Sequence, residues 1–222
     1  MNTAAPLPSS PTSKRARFGL SSALRAAAAP LRRGLLAGVI AAAALGGATG
    51  CATTTERLGL PALQTVPHVD LARYAGTWYE IATFPIRAQR GCTGVTATYT
   101  VRDDGEIDVF NRCRKYALDG PEDSVSGRAR VTDKATNAKL EVSFFRPFWG
   151  DYWIIDLAPD YSYAVVGHPS RDYLWILART PQIPEETYAG IVKRIEEKGY
   201  PLDRLVRTVQ APAAPVKVGS AR

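Results

Sequence analysis

Side chains that commonly carry catalysis are few in this sequence and widely separated. The chain has two histidines, His68 and His168, and neither belongs to the spacing of a metal site or of a Ser-His-Asp triad. No Gly-x-Ser-x-Gly elbow and no phosphate-binding loop occurs. Asp156 interrupts an apolar segment, but a carboxylate in that setting most often faces water. The sequence therefore predicts a protein that is not an enzyme and that holds no metal or other cofactor.

The first fifty residues have the layout of a signal peptide. Six of the 28 basic residues lie there without an acidic one, which leaves 22 basic and 21 acidic residues in the rest of the chain. The basic part ends at Arg32 and Arg33, and residues 34–45 are small or apolar. These twelve residues fall short of the roughly 20 that a transmembrane helix needs. Residues 1–50 are thus predicted to direct export, by the Sec or the twin-arginine route, and the net charge does not indicate a nucleic-acid partner.

Residues 48–51, Ala-Thr-Gly-Cys, resemble the lipobox of bacterial lipoproteins, in which the cysteine is lipidated and becomes the mature N-terminus. Several acyl chains on Cys51 would anchor the protein stably, whereas a single chain binds a membrane only marginally. Ala52 in the following position favours the outer membrane in such lipoproteins. We expect residues 51–68 to form a lipidated tether that holds the protein at the outer membrane, facing the periplasm. An ordinary cleavable signal with a chance cysteine is the alternative.

Export also decides how the other two cysteines are interpreted, since disulfides persist in the periplasm. Cys92 and Cys113 lie on the two arms of a predicted hairpin that turns at residues 103–105. Pairing across that turn leaves the two cysteines two residues out of register, an offset that a bulge near Gly91 or Gly94 can absorb. A disulfide between them is expected, and two free buried thiols are the alternative.

Short alternating segments recur about every ten residues, which is the pattern of an all-β barrel or sandwich. In the second segment, Val95, Ala97 and Tyr99 share one face, and threonines occupy the other. The segments around residues 153–155 and 174–177 are apolar on both faces and therefore need a cover outside the sheet. The eight predicted strands are Gly76–Phe84, Thr93–Arg102, Glu106–Tyr116, Ser124–Thr132, Lys139–Phe145, Asp151–Leu157, Tyr163–Gly167 and Tyr173–Arg179.

One helical pattern follows the strands. Tyr188, Ile191, Val192 and Ile195 recur with the spacing of a single apolar stripe, and Pro184 suits the first turn of the helix. We expect the stripe to pack on the outer wall of the sheet, where it supplies the missing cover. A helix that binds a membrane or a partner protein is the alternative.

Several segments resemble motifs of the lipocalin family, and they occur in the same order along the chain as in that family. The motif Gly-x-Trp at residues 76–78 opens the first strand of that family, and Arg179 matches its third motif. Asp70–Tyr74 is similar to the family's short 3₁₀ helix at the barrel base. Tyr163–Gly167 and Arg171–Leu177 are similar to the last strands of bacterial lipocalins and apolipoprotein D. A further matching segment is Val142–Gly150. The resemblance covers residues 69–210 and favours the bacterial outer-membrane subgroup.

This resemblance implies an eight-stranded antiparallel up-and-down barrel with one C-terminal α-helix packed on its outside. It also implies that Arg179 stacks on Trp78 to close the base, while Gly76 permits a close approach of the backbone. These three are expected to be structural residues without ligand contact. Residues 211–222, rich in Ala and Pro, are expected to form a disordered tail.

A barrel of eight strands has room inside for one small ligand. We expect the cavity to be lined by aromatic and aliphatic side chains, although strand parity also allows half of them to face outward. The expected lining residues are Tyr99, Val109, Phe144, Ile154, Tyr163 and Trp175. Arginines near the predicted strand ends are candidates for contact with a ligand headgroup, namely Arg87, Arg90, Arg112 and Arg114.

The resemblance implies a protein that binds and stores or transports a fatty acid or a lysophospholipid at the outer membrane, for membrane maintenance under stress. It leaves a homodimer open. Two other classes of function remain at this point. One is a lipocalin-fold enzyme that acts on a lipid or isoprenoid ligand, and the other is an interaction protein whose cavity is filled by its own side chains.

Overall fold

The computed structural model describes residues 59–212. The predicted signal peptide, the lipidation site at Cys51, the first part of the tether and residues 213–222 of the predicted tail lie outside the described residues. No helix in the described part of the chain is long and apolar enough to cross a lipid bilayer.

Eight antiparallel strands close into a barrel, which confirms the predicted fold. Each strand pairs with the next along the chain, and the last pairs with the first. All strand ends lie within three residues of the predicted ones. The strands are β1 (Gly76–Thr83), β2 (Cys92–Val101), β3 (Ile107–Lys115), β4 (Glu122–Val131), β5 (Lys139–Phe145), β6 (Phe148–Leu157), β7 (Tyr163–Gly167) and β8 (Leu174–Ala178).

The two ends of the barrel follow from this alternation of strand direction. Helix α1 (Leu71–Tyr74) precedes β1 and shares one end with the β2–β3, β4–β5 and β6–β7 turns. We call this end the base, and the opposite end, with the β3–β4, β5–β6 and β7–β8 turns, the mouth. The carboxylate of Asp70 caps α1 by accepting hydrogen bonds from the backbone N–H groups of Ala72 and Arg73, at 2.9 and 3.2 Å. The segment expected to be a 3₁₀ helix is thus a single capped turn of α-helix.

A ninth strand that the sequence did not predict closes a seam in the wall. Strand β1 pairs with β2 only over residues 76–79, and beyond that point β9 (Val206–Arg207) pairs with β1 instead. The backbone N–H of Gly94 in β2 donates to the carbonyl of Val209, at 2.7 Å. The C-terminal segment therefore fills the gap between β1 and β2. Two paired residues are too few for an alternating pattern to reveal.

Helix α2 (Glu185–Glu197) covers one outer wall of the barrel, as predicted. Its stripe residues Ile191 and Ile195 are buried in an apolar cluster with side chains of β1, β6, β7 and β8. Strands β6 and β8 are the two whose sequences are apolar on both faces and were therefore expected to need a cover outside the barrel. Asp156 does not simply face water, because its carboxylate accepts a hydrogen bond from Nε of Arg194 on α2, at 2.8 Å. This ion pair fastens the helix to β6.

The predicted disulfide between Cys92 and Cys113 is confirmed, with the two Cα atoms 5.5 Å apart. Cys92 pairs across the hairpin with Lys115, so the direct register would not bring the two cysteines together. The register shifts between Thr93 and Thr96, around Gly94, whose φ of +57° favours glycine. The bulge that the sequence suggested is therefore present, but it shifts the register by one residue only, and the disulfide joins Cys92 to Cys113 as diagonal neighbours two positions out of register.

Candidate functional site

A cavity of about 430 Å³ occupies the interior of the barrel between the base and the mouth. Its walls are mainly apolar, and their side chains come from α1, from the β1–β2 loop and from most of the strands. Inward-facing residues alternate with outward-facing ones along each strand, so that the barrel has one core inside and a second one under α2. A volume of this size suits one small apolar molecule.

Four of the six side chains expected to line the cavity do so, namely Tyr99, Val109, Phe144 and Trp175. Ile154 is fully buried in the interior core without lining the cavity. Tyr163 faces the opposite way and packs in the outer cluster, because its neighbours Ala164 and Val166 take the inward positions of β7. Its hydroxyl accepts a hydrogen bond from Arg194 of α2, at 2.8 Å. The expectation that Tyr163 lines the cavity was therefore wrong, because the inward face of β7 begins one residue later, at Ala164.

The base is closed by Arg179, which follows β8 and reaches across the start of β1. Its guanidinium carbon lies 3.7 Å from the centre of the Trp78 ring, so the predicted stack is present. The guanidinium also donates to four backbone carbonyls around α1, those of Arg73, Tyr74, Ala75 and Thr77, at 2.6 to 3.2 Å. The indole N–H of Trp78 donates to the carbonyl of Tyr74, at 2.8 Å. This network fixes the floor of the cavity.

Three tyrosine hydroxyls meet on that floor. Tyr152 of β6 lies between Tyr74 of α1 and Tyr99 of β2, with oxygen–oxygen distances of 2.8 and 2.9 Å. All three side chains line the cavity. Burial raises the pKa of Tyr99 to about 12 and those of Tyr74 and Tyr152 well above their ordinary value. The three hydroxyls are therefore protonated at physiological pH.

Sequence reasoning found Tyr99 of this cluster and missed the other two. Tyr152 lies two positions before Ile154 in β6, so the same inward parity predicts it. Tyr74 lies on α1, to which strand parity does not apply. Only the closed barrel brings it to Tyr152, 78 positions away in the chain.

Glu80 is an unexpected carboxyl group on the wall of the cavity. It is 4% exposed, and burial raises its pKa, although hydrogen bonds partly offset that rise. The hydroxyl of Thr208 donates to its Oε1 at 2.6 Å, and Nε2 of Gln89 donates to its Oε2 at 2.8 Å. A signal for it exists in the sequence, because Glu80 lies two positions after Trp78 and so shares its inward face.

Two further polar side chains on the wall leave an acceptor atom without a partner. Among residues 59–212, Oε1 of Gln89 and Oδ1 of Asn111 are buried and accept no hydrogen bond. Both residues line the cavity. Of the four candidate headgroup arginines, Arg112 alone lines it, on β3 and toward the mouth. The wall thus offers a few polar contacts in an otherwise apolar cavity.

Within residues 59–212 no metal-binding group is found, and a Ser-His-Asp contact lies outside the cavity. No group of three or more His, Cys, Asp or Glu side chains comes together within residues 59–212. Nδ1 of His168 lies 2.8 Å from the hydroxyl of Ser170 within the β7–β8 turn, and its Nε2 lies 3.6 Å from a carboxylate oxygen of Asp151 on β6, but none of the three lines the cavity. His68 is exposed before α1. The arrangement that remains is a closed floor, an apolar cavity and a few polar atoms on its wall, which together can bind a molecule.

Comparisons with known proteins agree with this geometry. Residues 69–210 match the family model of a lipocalin-like domain. The outer membrane lipoprotein Blc of Escherichia coli is 41% identical over 181 residues, which cover 81% of this chain and 99% of Blc. Temperature-induced lipocalin-1 of Arabidopsis thaliana is 40% identical over 162 residues, which cover 69% of this chain and 86% of that protein.

A solved structure shows the same fold at low sequence identity. Insecticyanin from the tobacco hornworm, Manduca sexta, superposes with a TM-score of 0.55 and 20% identity. The superposition covers 68% of this chain and 86% of insecticyanin. At that identity the likeness concerns the barrel architecture alone.

Proposed function

The chain belongs to the lipocalin family, and from this premise we propose that it binds and stores or transports a fatty acid or a lysophospholipid at the outer membrane. The observation that carries the proposal is the cavity of about 430 Å³, closed at the base and walled mainly by apolar side chains. We propose a role in membrane maintenance under stress, which the resemblance to the bacterial subgroup implies. The family and its relatives support hydrophobic-ligand binding, and the named lipids and the stress role are the proposal.

The energetics of an acyl chain fit such a cavity. Each buried methylene contributes about 0.8 kcal/mol, so ten of them contribute roughly 8 kcal/mol. This gain offsets the several kcal/mol of translational, rotational and conformational freedom that a ligand loses on association. A carboxylate or phosphate headgroup would then lie toward the mouth, within reach of the guanidinium of Arg112.

We propose that lipidation of Cys51 anchors the protein to the outer membrane. The relative of 41% identity carries the name outer membrane lipoprotein, which supports the same arrangement here. The variant Cys51→Ser, expressed as the full chain, is expected to move from the membrane fraction to the soluble periplasmic fraction. Unchanged membrane retention would argue against lipidation at this residue.

We propose a binding protein and not an enzyme. Glu80 on the cavity wall accepts hydrogen bonds from two neighbours, and Asp156 holds α2 on the outer wall. Turnover of a bound lipid that is lost on changing Asp156 or His168 would favour the alternative, a lipocalin-fold enzyme.

The binding proposal is tested by displacement of a fluorescent apolar probe, N-phenyl-1-naphthylamine, with palmitate and a palmitoyl lysophospholipid as competitors. We expect both to displace the probe from the wild-type protein at micromolar concentration. The variant Val109→Trp, which places an indole in the cavity, is expected to lose this binding. Val206→Trp introduces the same side chain at a half-exposed position of β9, outside the cavity, and serves as the matched control.

Lipid extraction and mass spectrometry of the purified protein provide a second measurement. A bound amphiphile in the wild type that is absent from Val109→Trp would agree with the displacement result. The proposal is wrong if the wild-type protein neither retains nor exchanges any amphiphile at micromolar concentration.

A further inference from the structure

The three tyrosine hydroxyls on the floor have one more proton than they have hydrogen bonds among themselves. Tyr74, Tyr152 and Tyr99 form a chain with two hydrogen bonds, at 2.8 and 2.9 Å. Each hydroxyl carries one proton, so the cluster has three donors and uses two of them. The count is the same whichever way the bonds run. One O–H group is always left over, either at an end of the chain or at Tyr152.

This remaining donor lies in a buried place where it needs a partner. The three side chains line the cavity, and their hydroxyls make no other hydrogen bond within residues 59–212. A buried donor without an acceptor lowers the stability of the state that leaves it unpaired. A ligand atom that accepts this hydrogen bond therefore gains affinity that an alkyl end of the same length does not.

The acceptor that fits is a neutral oxygen and not an anion. The one basic side chain of the described residues that lines the cavity is Arg112, which lies toward the mouth. Arg179 is engaged below the floor, where its guanidinium stacks on Trp78 and donates to backbone carbonyls. A carboxylate brought to the floor would lose its hydration without meeting a charged partner, which is costly.

We propose that Tyr74, Tyr99 and Tyr152 form a hydrogen-bond-donating subsite for a neutral oxygen, a hydroxyl or a carbonyl, on the end of the ligand that enters first. This inference rests on the proposed lipid binding and refines the ligand class. An amphiphile whose charged group stays at the mouth would be preferred when its far end carries a hydroxyl or keto oxygen. A plain alkyl end leaves the tyrosine donor unpaired.

The test compares matched ligands that differ only at the far end. Dodecanoic and hexadecanoic acids are paired with their ω-hydroxy counterparts, and dissociation constants are measured by displacement of N-phenyl-1-naphthylamine. In an apolar cavity without a partner the added hydroxyl would weaken binding, because it must be dehydrated. For the wild-type protein we expect the ω-hydroxy acid of at least one length to bind as tightly as the plain acid, or more tightly.

The triple variant Tyr74→Phe, Tyr99→Phe and Tyr152→Phe removes all three hydroxyls and keeps the rings that line the cavity, whereas a single change would still leave an unpaired donor. It is expected to weaken the ω-hydroxy acid relative to the plain acid by about 5- to 30-fold. Tyr163→Phe is the matched control, since it removes a tyrosine hydroxyl on the outer face of the same barrel. Its ratio of dissociation constants is expected to equal that of the wild type.

Two other outcomes overturn the proposal in different ways. Equal ratios in the wild type and the triple floor variant, or a wild type that discriminates tenfold or more against both ω-hydroxy acids, would overturn the floor subsite while lipid binding stands. If neither kind of acid displaces the probe from the wild-type protein, the proposed function is wrong, and the subsite proposal fails with it. The wild-type measurements distinguish these outcomes even where a variant folds poorly.

Discussion

The base of the barrel and its mouth are held by different kinds of contact. At the base, one guanidinium lies over the ring of Trp78 and donates to four backbone carbonyls, so that α1 and the start of β1 are tied to the end of β8. At the mouth, a disulfide joins β2 to β3, and large apolar rings stay in solvent, with Phe145 and Phe148 each 76% exposed. The base is therefore held by noncovalent contacts, whereas the mouth is held by a covalent bond and keeps large apolar rings exposed.

The largest effect is expected at the base, from the variant Trp78→Ala. This side chain is fully buried, and its removal leaves a cavity beneath the floor and takes the ring from under Arg179. Such truncations cost about 3–5 kcal/mol, which urea denaturation would measure as a lower free energy of unfolding.

A second arginine–tryptophan stack provides the matched control. Arg130 lies 4.2 Å from the centre of the Trp149 ring, but on the outer wall, where the Arg130 side chain is half exposed. Trp149→Ala is expected to cost about 1 kcal/mol, because a partly exposed stack of this kind contributes less than a buried one. Equal losses in the two variants would remove the distinction between the base and the rest of the wall.

The parts of the fold that the sequence predicted are those with local sequence signals. The base was predictable because Trp78 and Arg179 belong to local motifs whose residues keep fixed roles. The strands and α2 were predictable because alternation and helical spacing are local signals. The C-terminal strand β9 was not, since its two residues pair only where β2 has already diverged from β1.

The candidate site was predictable only in part, for a geometrical reason. Parity assigns a side chain to a face but fails when the starting position is off by one, as it was for Tyr163. The floor depends on Tyr74, Tyr99 and Tyr152, which come from three elements and meet only when the barrel closes. No local pattern contains that contact.

The next effect in size is expected at the mouth, from the double variant Cys92→Ser with Cys113→Ser. The disulfide closes a loop of 21 residues, and a cross-link of that span typically stabilises a protein by about 3 kcal/mol. We expect urea denaturation under oxidising conditions to show that loss. Wild-type protein reduced with dithiothreitol should match the double variant, and the variant itself should not respond to the reductant.

This result would sharpen the comparison of the two ends. If the double variant keeps its lipid affinity while losing stability, the disulfide supports the mouth without shaping the cavity. A double variant as stable as the oxidised wild type would show that the hydrogen bonds between β2 and β3 hold the mouth by themselves.

The smallest effect is expected between the two ends, at Glu80, and it concerns the slope of stability against pH. Burial raises the pKa of Glu80 above its ordinary value of 4.5, so the folded state binds the proton more tightly than the unfolded state. The resulting contribution to stability is complete below pH 4.5 and is lost as the pH rises through the folded-state pKa. Glu80→Gln stays neutral and does not undergo this loss.

The midpoint of thermal unfolding, measured from about pH 4 to about pH 8, should therefore fall less with rising pH in Glu80→Gln than in the wild type. The amide can accept a hydrogen bond from Thr208 or Gln89 but not from both in the way the carboxylate does, and this mismatch shifts the whole curve by a constant. The difference between the two curves at high and low pH, and not its absolute value, is thus the informative quantity. Glu197→Gln, on the exposed face of α2, removes a carboxylate outside the cavity and is the control. If both variants change the slope of the unfolding midpoint against pH equally, the buried carboxyl of Glu80 contributes no more to the pH dependence than an exposed carboxyl does.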